Sequence, residues 1–132
     1  MIFVCRNCGK EFDNYHKRIF CSPECSQEYT FKQTIIKLDT TDDLSIASVR
    51  TVRKYLLFKN GNICQICNSV EWNNVMIPLV LDHIDGNSSN WMRANLRMIC
   101  PNCDALLPTY KARNKGNGRF SRRQRYQEGK SY

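Results

Sequence analysis

No apolar run in this 132-residue chain is long enough to cross a bilayer. The longest aliphatic stretch, Met76 to Leu81, is broken by Pro78, and a spanning helix needs about 20 apolar residues. Nor do the opening residues show a charged segment followed by an apolar one, the mark of an export signal. That predicts an intracellular, cytoplasmic chain. Bulk is lacking too: 15.5 kDa allows one or two very small domains. An apolar fraction of 42% fills compact modules rather than one deep core, and modules of that size usually need staples. No internal repeat appears beyond two cysteine-bearing units of unequal spacing.

Acidic residues are scarce at one end only. Of 20 Lys plus Arg against 12 Asp plus Glu, residues 1–110 hold a near balance. Residues 111–132 carry Lys111, Arg113, Lys115, Arg119, Arg122, Arg123, Arg125 and Lys130 against Glu128 alone. A basic tail on a neutral body fits a polyanion partner, nucleic acid above all, or else a solvated, disordered tail.

What is present in quantity is cysteine. The eight fall as Cys5-x-x-Cys8, Cys21-x-x-x-Cys25, Cys64-x-x-Cys67 and Cys100-x-x-Cys103. A tight turn with two thiolates two or three residues apart aims both at one point, and two such turns make a tetrahedral Zn²⁺ site. Disulfides would use the same even count, but reduced cytosol disfavours them. Nearest-neighbour pairing gives one site from Cys5, Cys8, Cys21 and Cys25, and another from Cys64, Cys67, Cys100 and Cys103, each coupling metal binding to folding.

The order of elements follows. Residues 1–29 form an amino-terminal four-cysteine zinc finger, with Gly9 at the knuckle, Phe12 and Phe20 covering the metal, and Pro23-Glu24 opening a helix. His16 is a surface residue, since four cysteines complete the site. Residues 30–59 are a connector, either irregular or with helix carried over from Tyr29, and an amphipathic helix in which Ile46, Val49, Val52 and Leu56 recur at helical spacing; Ser45 is the expected N-cap and Asn60-Gly61 the stop. Thirty-two residues separate Cys67 from Cys100, more than a zinc ribbon needs. Within them Ile77–Leu81 reads as a strand ending at Asp82-His83, Asp85-Gly86-Asn87 as a turn, Ser88 to Arg93 as a loop and Leu96–Ile99 as a second strand. A short helix over Pro101–Leu107 follows. Trp72 is expected in the core and Trp91 packed in the loop, while Asn68, Asn73 and Asn74 carry no usable signal.

Leu81-Asp-His-Ile-Asp-Gly-Asn87, then Asn95-Leu-Arg97 and Cys100-Pro-Asn-Cys-Asp104, resembles the HNH endonuclease family over residues 60–114. The amino-terminal unit is similar to short treble-clef-like fingers of phage and bacterial DNA-acting proteins. The resemblance implies a small, zinc-stabilised α+β protein: a treble-clef-like finger, a linker helix, a ββα-metal HNH domain, and a basic tail over 115–132. It implies His83 as general base, Asp82 as ligand of a catalytic Mg²⁺ or Mn²⁺, and Asn95 as the residue tying down the loop. The third motif position falls on Asp104, where the family has His or Asn; a carboxylate suits a hard cation. Lys111, Arg113 and Asn114, with Arg119, Arg122, Arg123 and Arg125, are expected phosphate contacts. The function implied is metal-dependent hydrolysis of double-stranded DNA, of nicking or phage homing type, by a monomer or a dimer. Products would carry 3′-hydroxyl and 5′-phosphate ends.

Elementary chemistry stands beside this. Phosphodiester hydrolysis needs a base for water and a cation for the phosphate oxygens, and imidazole is neutral near cellular pH. Successive residues of an extended strand face opposite ways, so the chain is expected to bend at Asp82-His83. The alternatives are a catalytically inactive zinc-containing nucleic-acid-binding module and an adaptor using the first finger.

Overall fold

The computed structural model describes residues 1–111 and 120–129, with side chains omitted at 120–122 and 126. It divides into two compact units, Met1–Thr41 and Asp42–Tyr132. No helix among the described residues is long and apolar enough to cross a membrane.

In the first unit β1 (Ile2–Val4) pairs antiparallel with β2 (Glu11–Asp13). Phe3 opposes Phe12, ring centres 6.0 Å apart. The knuckle between them turns at Gly9, whose φ of 73° belongs to the left-handed region that glycine enters without a steric penalty. Helix α1 (Pro23–Asp39) begins as the dipeptide predicts: Ser22 caps it, Oγ accepting from the Cys25 N–H at 3.1 Å, and Pro23 occupies its first turn. It then runs ten residues beyond position 29. Helix thus carries over from Tyr29 into the connector, anchored by Leu38, fully buried near its end, with Lys37 in the last turn.

The second unit opens with a 3₁₀ turn (Leu44–Ile46) that Asp43 caps, not with the helix itself. Helix α2 (Val49–Asn60) is capped by Ser48 instead of Ser45 and stops at Gly61, φ 76°. Its buried face is Val52, Tyr55 and Leu56; Ile46 and Val49 are about half exposed, so the apolar stripe is rotated from the expected one. The Tyr55 hydroxyl accepts from Arg93 at 2.6 Å, bringing a polar tip into the core with its partner. No buried side-chain nitrogen or oxygen among the described residues lacks a hydrogen bond.

After the first pair of knuckle cysteines comes a small hairpin, β3 (Glu71–Trp72) with β4 (Val75–Met76). Its turn is Asn73-Asn74, both at positive φ (52° and 63°), a hairpin turn that asparagine tolerates. The hairpin holds Trp72 out at 66% exposure, so Trp72 is not a core residue. Ile77 and Leu79, buried, lead into β5 (Val80–His83), which pairs antiparallel with β6 (Leu96–Ile99). Helix α3 (Pro101–Leu106) follows directly, with a Cys100 N-cap. Met98 and Ile99 on β6 are fully buried, and burying side chains of that size stabilises by about 2 kcal/mol each. A last helix, α4, covers Phe120–Gln127.

Candidate metal centres and the His83 site

All eight cysteines are described, and all are free thiols gathered in two groups of four, the sulfurs of each group within 4.8 Å of one another. Cys8 and Cys21 sulfurs lie 3.7 Å apart, Cys21 and Cys25 3.5 Å, and Cys67 and Cys100 3.8 Å. A tetrahedron with Zn–S bonds of about 2.3 Å sets its sulfurs roughly 3.8 Å apart, so both groups fit a zinc ion. Proton affinity within each is split. Burial raises the Cys5 thiol, but N–H groups of Cys8, Cys21 and Asn7 bring it down to about 6. Hydrogen bonding to Cys25 pushes Cys21 up to about 12. The second group repeats this: Cys64 is raised by burial yet drawn down to about 6 by neighbouring N–H groups, and burial sends Cys103 to about 12.

The second knuckle is sewn to the strands it encloses. The Gln65 N–H donates to the Met98 carbonyl at 3.1 Å, and the Met98 N–H donates to Gln65 Oε1 at 2.6 Å. The Cys100 N–H reaches Cys64 Sγ at 3.2 Å. A metal at these thiolates therefore fixes the start of α3 and the end of β6 together.

His83 ends β5. Its Nδ1 lies 3.0 Å from the Asn90 carbonyl oxygen. A carbonyl only accepts, so Nδ1 carries the proton, and in the neutral ring Nε2 is left with the basic lone pair. The Trp91 ring stands edge-on to the imidazole, centres 4.9 Å apart at 89°. Asn95 joins the same network: Nδ2 donates to the Asn90 carbonyl and to Asp85 Oδ1, both at 3.0 Å, while Oδ1 accepts from the Asp85 N–H at 3.0 Å. Asp85 accepts further bonds from Asn90 Nδ2 and the Asn87 N–H, each 2.8 Å. Those bonds, the Asn90 amide first, hold its carboxyl below the ordinary range, and the nearby imidazole adds to the effect.

Asp82 is one of the few charged side chains withdrawn from solvent, at 9% exposure, and Arg97 directly across the ladder gives it an Nε–H bond of 2.7 Å to Oδ2. Asp104, half-buried on α3, has its carboxyl raised, first by burial and then by the charge of Asp82, with Lys111 pulling the other way. The two carboxylates thus share one electrostatic neighbourhood. That donor set suits a hard divalent cation; a carboxylate has two oxygens, and the bond to Arg97 uses one of them.

The chain does not bend at Asp82-His83. Ladder pairing continues through both residues, Asp82 with Arg97 and His83 with Leu96, and the turn comes after, where the Gly86 N–H meets the His83 carbonyl. The structure accordingly groups Asp82 with Asp104, and His83 with Asn95, on a strand whose side chains alternate. Lys111 follows α3, its ammonium 5.1 Å from the Tyr110 ring centre. Arg123 and Arg125 lie on α4, and Arg113, Asn114, Arg119 and the Arg122 side chain fall outside the described residues. Asn90, Asp85 and Arg97 are site residues that single positions did not reveal. Their roles come from loop closure and strand register; for Asp85 and Asn90 the one available cue was turn chemistry.

The chain is similar to the H-N-H endonuclease F-TflIV of Escherichia phage T5, with 45% identity over 53 residues, 40% of this chain. The match spans 23% of that protein's length. No protein-family model matches the chain, and no solved structure matches it. Partial similarity to a phage HNH endonuclease supports nuclease function in general.

Proposed function

We propose that residues 60–114 form a ββα-metal nuclease of the HNH type that hydrolyses phosphodiester bonds in double-stranded DNA. The observation that carries this is the His83–Asn90–Asn95 constellation. A fixed tautomer presenting Nε2 is what a general base requires, and it occurs in a chain part of which resembles a phage endonuclease. The succession β5, β6, α3 supports the fold reading.

In this reading His83 accepts the proton of the attacking water, and its Nδ1–H stays on the Asn90 carbonyl, which spreads the charge the ring acquires. Asn95 acts as a positioning residue that keeps that carbonyl and the Asp85 turn in place. Asp82 and Asp104 would hold Mg²⁺ or Mn²⁺, with Asp104 in place of the family's usual His or Asn. Because β5 stays extended through Asp82-His83, the scissile phosphate would lie over the strand's end to meet both the ion and the imidazole. Such an ion neutralises charge on the phosphate oxygens. Two structural Zn²⁺ ions, one per cysteine group, hold the units closed. One base per chain gives a nick, and a double-strand break takes two chains or two events. The amino-terminal finger, treble-clef-like in this reading, and the basic tail lengthen the DNA footprint, as in a phage homing-type enzyme.

The test is nicking of supercoiled plasmid with Mg²⁺ or Mn²⁺. His83→Ala should lower the rate by roughly 10²- to 10⁴-fold, the usual worth of a positioned base. Equal nicking by both proteins would overturn the assignment. A second reading, a catalytically silent nucleic-acid-binding module, draws on one observation: Asp82 already holds the Arg97 guanidinium. It predicts DNA binding without nicking in the wild type.

A further inference from the structure

The outer face of α2 has no part in the chemistry proposed above, yet it runs to the His83 site. Val49, Arg50, Arg53, Lys54 and Leu57 line one groove, and Val49, Arg53, Val80, Leu81, His83, Ser88 and Trp91 line the next. Val49 and Arg53 line both, so the two grooves adjoin as one stretch of channel surface within the second unit. Positions 50, 53, 54 and 57 share a helix face, opposite the buried Val52, Tyr55 and Leu56. Among the described lining residues three are cations and none is a carboxylate. Arg53 is fixed at the junction, donating from Nη2 to the Leu79 carbonyl at 3.0 Å, just before β5 begins.

We infer that this channel seats the phosphate backbone of duplex DNA beside the cleavage point, with Arg50, Arg53 and Lys54 as its contacts. The inference rests on the nuclease reading for what happens at His83, but not for the binding itself. From Arg50 to Lys54 the helix rises about 6 Å. One DNA strand advances about 3.4 Å per phosphate, so the row covers roughly two steps, the span of three successive phosphates for three cations. Duplex DNA fits better than a single strand, because single-strand sites stack successive bases on several aromatics, and among the described residues lining this channel Trp91 is the one aromatic.

The experiment measures binding of a fluorescent duplex to the full-length protein in EDTA, across a salt series, alongside plasmid nicking in Mg²⁺. The double variant Arg50→Ala/Lys54→Ala should bind roughly 10- to 100-fold more weakly near physiological salt, with a log–log salt slope shallower by about two, one per lost phosphate contact. Both positions are exposed on α2, and its melting curve should match the wild type. Lys59→Ala, at the far end of α2, serves as the charge control and should bind within about twofold of the wild type. A double variant that binds and nicks like the wild type overturns the channel and leaves the nuclease reading standing. An unchanged salt slope, or an equal loss in the Lys59 control, also overturns it. If the wild type never nicks but the double variant still loses binding, the channel stands and the nuclease reading falls.

Discussion

The two cysteine groups are built alike and used differently. In each, a buried first cysteine is drawn down to about 6 and a later one sits near 12. In each, the second knuckle begins a helix, capped by Ser22 in one unit and Cys100 in the other. The difference is what lies between the pairs. Twelve residues separate Cys8 from Cys21; thirty-two separate Cys67 from Cys100, and they hold two hairpins, His83 and its loop. A four-cysteine clamp thus closes a small unit when the interval is short and frames a candidate site when the interval is long.

The strongest way to break this comparison is to remove one clamp at a time. Structural zinc contributes about 10–16 kcal/mol in small domains, so Cys5→Ser should halve the zinc content and erase the NMR dispersion of residues 1–41 only. Cys64→Ser should halve it as well and erase the dispersion of residues 42–111. Loss of both units in either variant would show that the clamps are not separate. A smaller effect sharpens the contrast between asparagines. Asn95→Ala removes three hydrogen bonds around His83 and should cost about 1–3 kcal/mol in urea unfolding. Asn7→Ala removes exposed bonds to Glu28 and Lys32 and should cost below about 1 kcal/mol. Equal costs would mean that the loop is no more ordered than the finger surface.

The smallest effect concerns acid. Asp85 is held below the ordinary carboxyl value by the Asn90 amide first, and Glu28 by Asn7 and then Lys32. Depressed carboxyls stabilise the fold fully above their unfolded pKa, about 4, and lose that contribution as pH falls through the folded value. Below pH 4 the amide signals of residues 85–95 should therefore shift together. The Glu28 signals should move with fewer neighbours, because its carboxylate takes one exposed bond from Asn7 and one ion pair from Lys32 on its own helix. Collective movement at both positions would erase the distinction.

The cysteine spacing, β6, the start of α1, α3 and the end of α2 are legible in the sequence, since each depends on a local rule: knuckle spacing, a proline at a helix start, a glycine at its end. The reach of α1 is not, because residues 30–39 carry no clear apolar period and one deeply buried residue, Leu38, anchors the end. The β3–β4 hairpin hid behind Asn73-Asn74, whose left-handed conformation leaves a weaker signature than Asn-Gly. Within the candidate site, His83, Asp82 and Asn95 could be named from motif positions. The Arg97–Asp82 pair could not, for it exists only once β5 and β6 are in register. The extended path through Asp82-His83 shows the same limit: the Asp85–Gly86 turn was visible, but not on which side of His83 the chain would fold.

Gln65 clasps Met98 from inside the Cys64–Cys67 knuckle through a bond in each direction. An oxidant that reaches Cys67, exposed at the rim of that cluster, would therefore do more than spoil a sulfur. It would slacken the stitch on β6 and let the strand bearing Arg97 drift from the one bearing Asp82. In that sense the thiolates work as a fuse.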